Sequence, residues 1–126
     1  MIDSTMNERF AALGYRLILA EDEDGVWVAS ARRLDTGDPF GPPMPADRGE
    51  EAAALLAGWL EWQRAHANAL AALQAAEGAY NRHVAEAALG TTTDEAGRAS
   101  QREALSRLDA CRSQLDQVRE QRPWPH

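Results

Sequence analysis

His66, His83 and Cys111 are the side chains of this chain best suited to metal binding or nucleophilic chemistry, and Glu21-Asp22-Glu23-Asp24 is its densest run of carboxylates. Each fails a requirement of the chemistry it suggests. His66 and His83 fall within one long helical stretch, about 25 Å apart at 1.5 Å per residue, too far to share a metal ion within one chain. His83 with Glu86 makes only half of a bundle-type metal site, without the inward glutamate and second histidine-bearing helix. If Gly25 takes the glycine position of a calcium loop, the first ligand position falls on Ala20, and no spaced glutamate follows. Cys111 sits on an apolar helical seam with no basic motif to lower its pKa, so it reads as a small buried hydrophobe. His66 reads as a satisfied core histidine. No catalytic, cofactor or metal site is expected, and the chain reads as non-enzymatic.

Composition narrows the function classes further. All 13 basic residues are arginine, which removes lysine Schiff-base chemistry and the P-loop lysine. Coding bias in a GC-rich bacterial genome accounts for that usage. Against 20 acidic residues the net charge is −7, a field that opposes nucleic-acid phosphates. One cysteine allows no intramolecular disulfide, which fits a reducing cytoplasm. The first residues carry no basic-then-apolar signal pattern, and no run approaches the roughly 20 apolar residues of a membrane span. A soluble cytoplasmic protein with no membrane contact is expected.

The elements that position these residues follow from local pattern. Thr5 with Glu8 suggests a capping box for a short helix that stops at Gly14. Tyr15, Leu17 and Leu19 alternate with Arg16, Ile18 and Ala20, and Val26-Trp27-Val28-Ala29 resumes strand character to about Leu34. Gly25 can supply the positive φ that a hairpin loop needs. Four prolines at 39, 42, 43 and 45 exclude a central strand. They leave a short edge strand around Phe40 or, the option that Phe40 and Met44 favour, an extended crossover packed by those two side chains. Asp47 with Glu50 is expected to cap a helix that runs to Leu89 and breaks at Gly90.

Two overlapping seams run along that helix. One passes through Ala52, Leu56, Trp59, Gln63, His66, Leu70, Leu73, Glu77, Tyr80, Val84 and Ala87. The other takes Leu55, Trp59, Trp62, His66, Ala69, Leu73, Ala76, Tyr80 and Ala87. Thr92 with Glu95 restarts a helix, which carries Ala104, Leu108, Cys111, Leu115 and Val118 at 4-3 spacing. Its mixed arginines and acids predict a solvated, ion-paired face.

Geometry assembles these into an α+β fold. The helices span about 63 Å and about 42 Å, and so short a connection requires an antiparallel pair. The second covers the first back to about Glu61. The free turns bearing Leu55, Leu56, Trp59 and Leu60 then pack on the hairpin, with Trp124 returning to that junction. We therefore expect a single domain. Residues 1–46 form the short helix and a two- or three-stranded head, 47–89 the long helix, and 93–122 the second helix.

The run Gly14-Tyr15-Arg16-Leu17-Ile18-Leu19, the acidic turn to Gly25, Val26-Trp27-Val28-Ala29 and the later Glu50-Glu51-Ala52 resemble the opening of HicB-type antitoxin domains. The resemblance spans residues 14–60 and implies a binding domain able to neutralise a small basic partner. Prolines occupy the third-strand position, and a helical hairpin stands where the family carries a DNA-binding element. Two functions follow as expectations. One is a protein-interaction or accessory module that dimerises through the helical hairpin as a coiled coil. The other is an acidic, antitoxin-like inhibitor of a basic protein. The residues expected to meet a partner are Glu21, Asp22, Glu23, Asp24, Trp59, Trp62, His66 and Trp124.

Overall fold

The computed structural model describes residues 4–90 and 94–123. Its elements are α1 (Ser4–Ala12), β1 (Tyr15–Glu21), β2 (Trp27–Arg33), β3 (Pro39–Ala46), α2 (Gly49–Ala88) and α3 (Glu95–Glu120). The expected α+β class holds, with a three-stranded antiparallel sheet followed by a long helix and a C-terminal helix that pack together. The chain divides into two compact units, the first reaching Gln63 and the second covering Arg64–Arg122.

In the first unit β2 is central, in the order β1-β2-β3. Tyr15 faces Arg33, Ile18 faces Ser30 and Glu21 faces Trp27 across β1 and β2. The Asp22 N–H donates to the Val26 carbonyl at 2.9 Å, and the Leu34 N–H donates to the Gly14 carbonyl at 3.0 Å. In an antiparallel ladder these pairs set the parity, so even-numbered residues of β1 bond to β2 and odd-numbered ones turn their N–H and C=O outward. By the same rule odd residues of β2 bond to β3, as the Arg33 N–H does to the Asp38 carbonyl at 2.8 Å.

That parity explains how a proline-rich segment forms a strand. Phe40, Met44 and Ala46 face odd-numbered β2 residues and bond to them, so Pro39 and Pro45, opposite Arg32 and Val28, turn their nitrogens to the open side, where no donor is needed. Pro42 and Pro43 fall in the irregular stretch where the register shifts between Ala29 and Ala31. The edge strand forms, in place of the favoured crossover. It is longer than a few residues around Phe40 because the shift absorbs the awkward prolines.

The core of this unit has an alanine floor. Ala29 and Ala31 of β2 meet Ala52, Ala53 and Ala57 of α2, all essentially inaccessible, with Phe10, Met44, Leu56 and Leu60 filling the volume around them. Each of those large side chains contributes roughly 1.5–3 kcal/mol on burial. The stripe through residues 52, 53, 56, 57 and 60 leaves Leu55 on the flank at 44% exposure, so Leu55 does not pack on the sheet as expected.

In the second unit α3 runs antiparallel to the C-terminal part of α2. Arg119 meets His66 at one end, while Ser100 and Arg107 lie by Ala76 and His83 further along. Ala69, Ala76, Leu108, Leu115 and Val118 are buried, and Leu73, Tyr80, Ala104 and Cys111 are half-buried. This is the second of the two expected seams. Glu77 and Val84 of the first are exposed, because a two-helix contact buries only one narrow stripe.

Several boundaries differ from expectation at the caps. Helix α1 already includes Thr5, and α2 opens at Gly49, two residues beyond Asp47. Asp94 caps α3, its Oδ1 accepting the Gly97 N–H at 2.8 Å. Thr92, expected in that role, lies outside the described residues. Gly90, at φ +75°, follows α2 as expected.

Gly41 holds the bulge of β3 at φ +81°, and a Cβ there would lie 2.9 Å from the Trp59 ring. Gly37, at φ +77°, has open space around it. Gly41→Ala should therefore lower stability by backbone strain of about 1 kcal/mol plus overpacking of roughly 1–3 kcal/mol, while Gly37→Ala bears only the first. Urea unfolding of both variants measures the difference, and equal losses would show that Trp59 does not press on Gly41.

Candidate functional site

The acidic tip is built around one carboxylate. Asp22 Oδ1 accepts the N–H groups of Asp24 and Val26, both at 2.9 Å, and the Gly25 N–H donates to the Asp22 carbonyl at 3.2 Å. This Asx-type turn with Gly25 at φ +82° closes the hairpin. Of the four acids, Asp22 is engaged by the loop itself. Glu21, Glu23 and Asp24 stand exposed around it. The tip is thus a preformed array of carboxylates on a fixed turn.

At the opposite end of the sheet lies an aromatic group. Tyr15 and Phe40 stack across the small Ala31, ring centroids 5.1 Å apart, and Phe40 tilts against Trp59 at 6.1 Å. The Arg33 guanidinium lies 4.9 Å above the Phe40 ring, a cation–π contact. Trp59 Nε1 is buried with no hydrogen-bond partner among the described residues. An orphaned donor of this kind costs about 1–3 kcal/mol, so shape rather than polarity fixes Trp59 here. Gly49 packs near Leu19 and Trp27 at the tip end. Trp59, ten residues along α2, is about 15 Å further on.

Of the expected partner-binding residues, the tip and Trp59 therefore stand at opposite ends of the first unit and do not converge. Trp62 is half-buried in the same unit. His66 belongs to the second, where Arg119 Nε approaches its Nε2 at 3.4 Å. Trp124 lies outside the described residues. The participation of Tyr15, Arg33 and Phe40 was missed, because contact across β2 depends on register. Gly41 among prolines was the local signal that a ring could approach closely.

Arg9 of α1 pairs with Glu61 of α2, its Nε donating to Oε2 at 3.0 Å and its Nη2 pairing with Oε1. Those hydrogen bonds raise the Arg9 pKa and lower that of Glu61. Both groups are more than a third exposed, so the pair adds at most a modest stabilisation. On α3 the arginines are ion-paired with neighbours, as Arg98 and Arg102 with Glu95, Arg107 with Glu103 and Arg112 with Asp109. This matches the solvated face expected of mixed charge.

Among the described residues no three His, Cys, Asp or Glu side chains gather at metal-binding distance. No helix is long and apolar enough to cross a membrane. The second unit has a shallow hollow lined by Tyr80, Arg98, Gln101, Arg102 and Leu105, with Leu105 itself 41% exposed, and Val84 and Leu89 are exposed elsewhere on it.

The tip geometry separates structural from recognitional acids. Asp22→Ala should destabilise the first unit by about 1–2 kcal/mol through loss of two amide partners, while Asp24→Ala stays within about 0.5 kcal/mol. Thermal unfolding of the two variants compares them directly, and equal effects would refute the assignment. No family model, curated protein or solved structure matches this chain.

Proposed function

We propose that this protein is a non-enzymatic interaction module that self-associates through its helical hairpin. One observation carries the reading, the thinness of the second unit's core. Among its described residues five are buried; Ala69 and Ala76 are alanines, and Leu108, Leu115 and Val118 are larger. A pair of helices with so little buried area gains little from burial on its own. Val84 and Leu105, at 40% and 41% exposure, stand beside that seam. The occupant this surface fits is a second copy of the same hairpin, with the same narrow apolar stripe and the same mixed-charge flanks. Packing two such hairpins would enclose the Tyr80–Leu105 hollow and convert a two-helix contact into a four-helix one.

A second reading has its own support in the hairpin tip. Glu21, Glu23 and Asp24 are exposed on a turn already ordered by Asp22, so a basic protein could bind them with little ordering cost. In this reading the protein is an acidic, antitoxin-like inhibitor, as its resemblance to HicB-type domains suggests.

Sedimentation equilibrium tests the first reading. The wild-type chain should give at least twice 13.8 kDa, and Leu105→Glu should weaken hairpin-mediated association by at least tenfold, the cost of about 1.4 kcal/mol or more at an apolar interface. A Leu105→Glu chain that associates as the wild type does would overturn it. For the second reading, the paired reversal of Glu23 and Asp24 to arginine should abolish capture of a basic partner from the native host. Undiminished capture would exclude the tip.

A further inference from the structure

We propose that the outer edge of β1 pairs antiparallel with β1 of a second copy, joining two three-stranded sheets into one of six strands. This goes beyond self-association through the helices, since it uses a strand edge in the other unit.

The two edges of the sheet are unlike. On β3, Pro39 and Pro45 turn their nitrogens outward, so no further strand can be added there. On β1, ladder parity turns the N–H and C=O groups of Leu17 and Leu19 outward, and the strand Tyr15–Glu21 contains no proline or bulge. An edge of this kind is a template for another strand.

The occupant is a second copy because the edge is complementary to itself. A two-fold axis through Ile18 sets Leu17 opposite Leu19 and Tyr15 opposite Glu21 of the second copy, and every outward-turned residue then meets an outward-turned residue. About eight backbone hydrogen bonds could form across that seam. On the helix-free face, half-buried Ile18 would meet Ile18 of the second copy, flanked on each side by Ser30, with Val28 on the diagonal.

Charge supplies a second, independent observation. Arg16 and Arg32 lie directly opposite each other on that same face, an arrangement that like charges disfavour. The Arg32 guanidinium is turned away onto the Gly37 carbonyl, 2.9 Å from its Nη1. Each hairpin thus has a basic end at Arg16, Arg32 and Arg33, and an acidic end at Glu21 to Asp24. Antiparallel pairing lays the acidic end of one copy along the basic end of the other, and Arg16 falls diagonal to Asp22 of the second copy, within reach of a long side chain. A parallel arrangement would set like against like.

The test is disulfide trapping in the full chain with Cys111→Ser. Facing residues of a non-hydrogen-bonded pair lie about 4.5 Å apart at Cα, inside the range a disulfide spans. Ile18→Cys should therefore oxidise to a covalent dimer in high yield. Ala20→Cys should not, because its two copies would be about 13 Å apart. Failure of Ile18→Cys to cross-link, or equal yields at both positions, overturns the proposal. A second variant guards against misfolding. Ile18→Arg, on the helix-free face, should keep the wild-type circular dichroism and weaken β1-mediated dimerisation by at least tenfold, and an unchanged dissociation constant overturns the pairing. The helical reading fails separately. Leu105→Glu should leave cross-linking through Cys at 18 intact, whereas a Leu105-dependent dimer without that cross-link would support the helices and refute the strand edge.

Discussion

The first unit depends on the close approach of an alanine-faced helix to an alanine-faced strand. Ala29 and Ala31 of β2 and Ala52, Ala53 and Ala57 of α2 belong to one core cluster and are at most 1% exposed, so larger side chains there would overpack it. Alanine contributes little area, so the large residues must come from the flanks. Phe10 enters from α1, Met44 from β3, and Leu56 and Leu60 from the next turns of α2. The same small central strand allows Tyr15 and Phe40, from strands that are not neighbours, to stack across Ala31. A large residue at 31 would separate those rings and with them the seat of Trp59.

The second unit follows the same economy with a different result. Its seam is a single narrow stripe of alanine, leucine and valine, with Tyr80 and Cys111 half-buried along it. Ion pairs along the outside of α3 hold the solvated face and contribute little to stability. A sheet edge with outward backbone groups and a helical pair with a thin core are both incomplete surfaces. For that reason the functional reading rests on association, where the described side chains form no convergent polar site.

Much of the fold was legible residue by residue. Alternation from Tyr15 to Ala20, Gly25 in the loop and Val26 to Ala29 specify a hairpin because strand period and turn chemistry are local. The 4-3 spacing from Ala104 to Val118 specified the α3 seam, and Gly90 specified the break. The prolines were ambiguous because their tolerance depends on which way each nitrogen points, and that depends on pairing with β2. Leu55 and Leu56 are equivalent to a periodicity argument with two seams, yet one is exposed and the other buried. Asp94 caps α3, whereas local pattern pointed to Thr92, since Ser, Thr and Asp near a helix start are alike in capping chemistry.

The candidate surfaces divide in the same way. The acidic composition of the tip is a property of the chain itself, and so is the absence of lysine. That Asp22 is held by its own loop while Glu21, Glu23 and Asp24 are left outward is decided by the turn geometry. Arg9 and Glu61, distant in sequence, meet only because α1 and α2 share one face of the sheet. Sequence by itself determined the helices, the first hairpin, the class and the charge, since these depend on residues within a few positions of one another. Tertiary structure alone decided which strand edge is closed, which seam is buried and which carboxylates are free, because each depends on register between segments far apart in the chain.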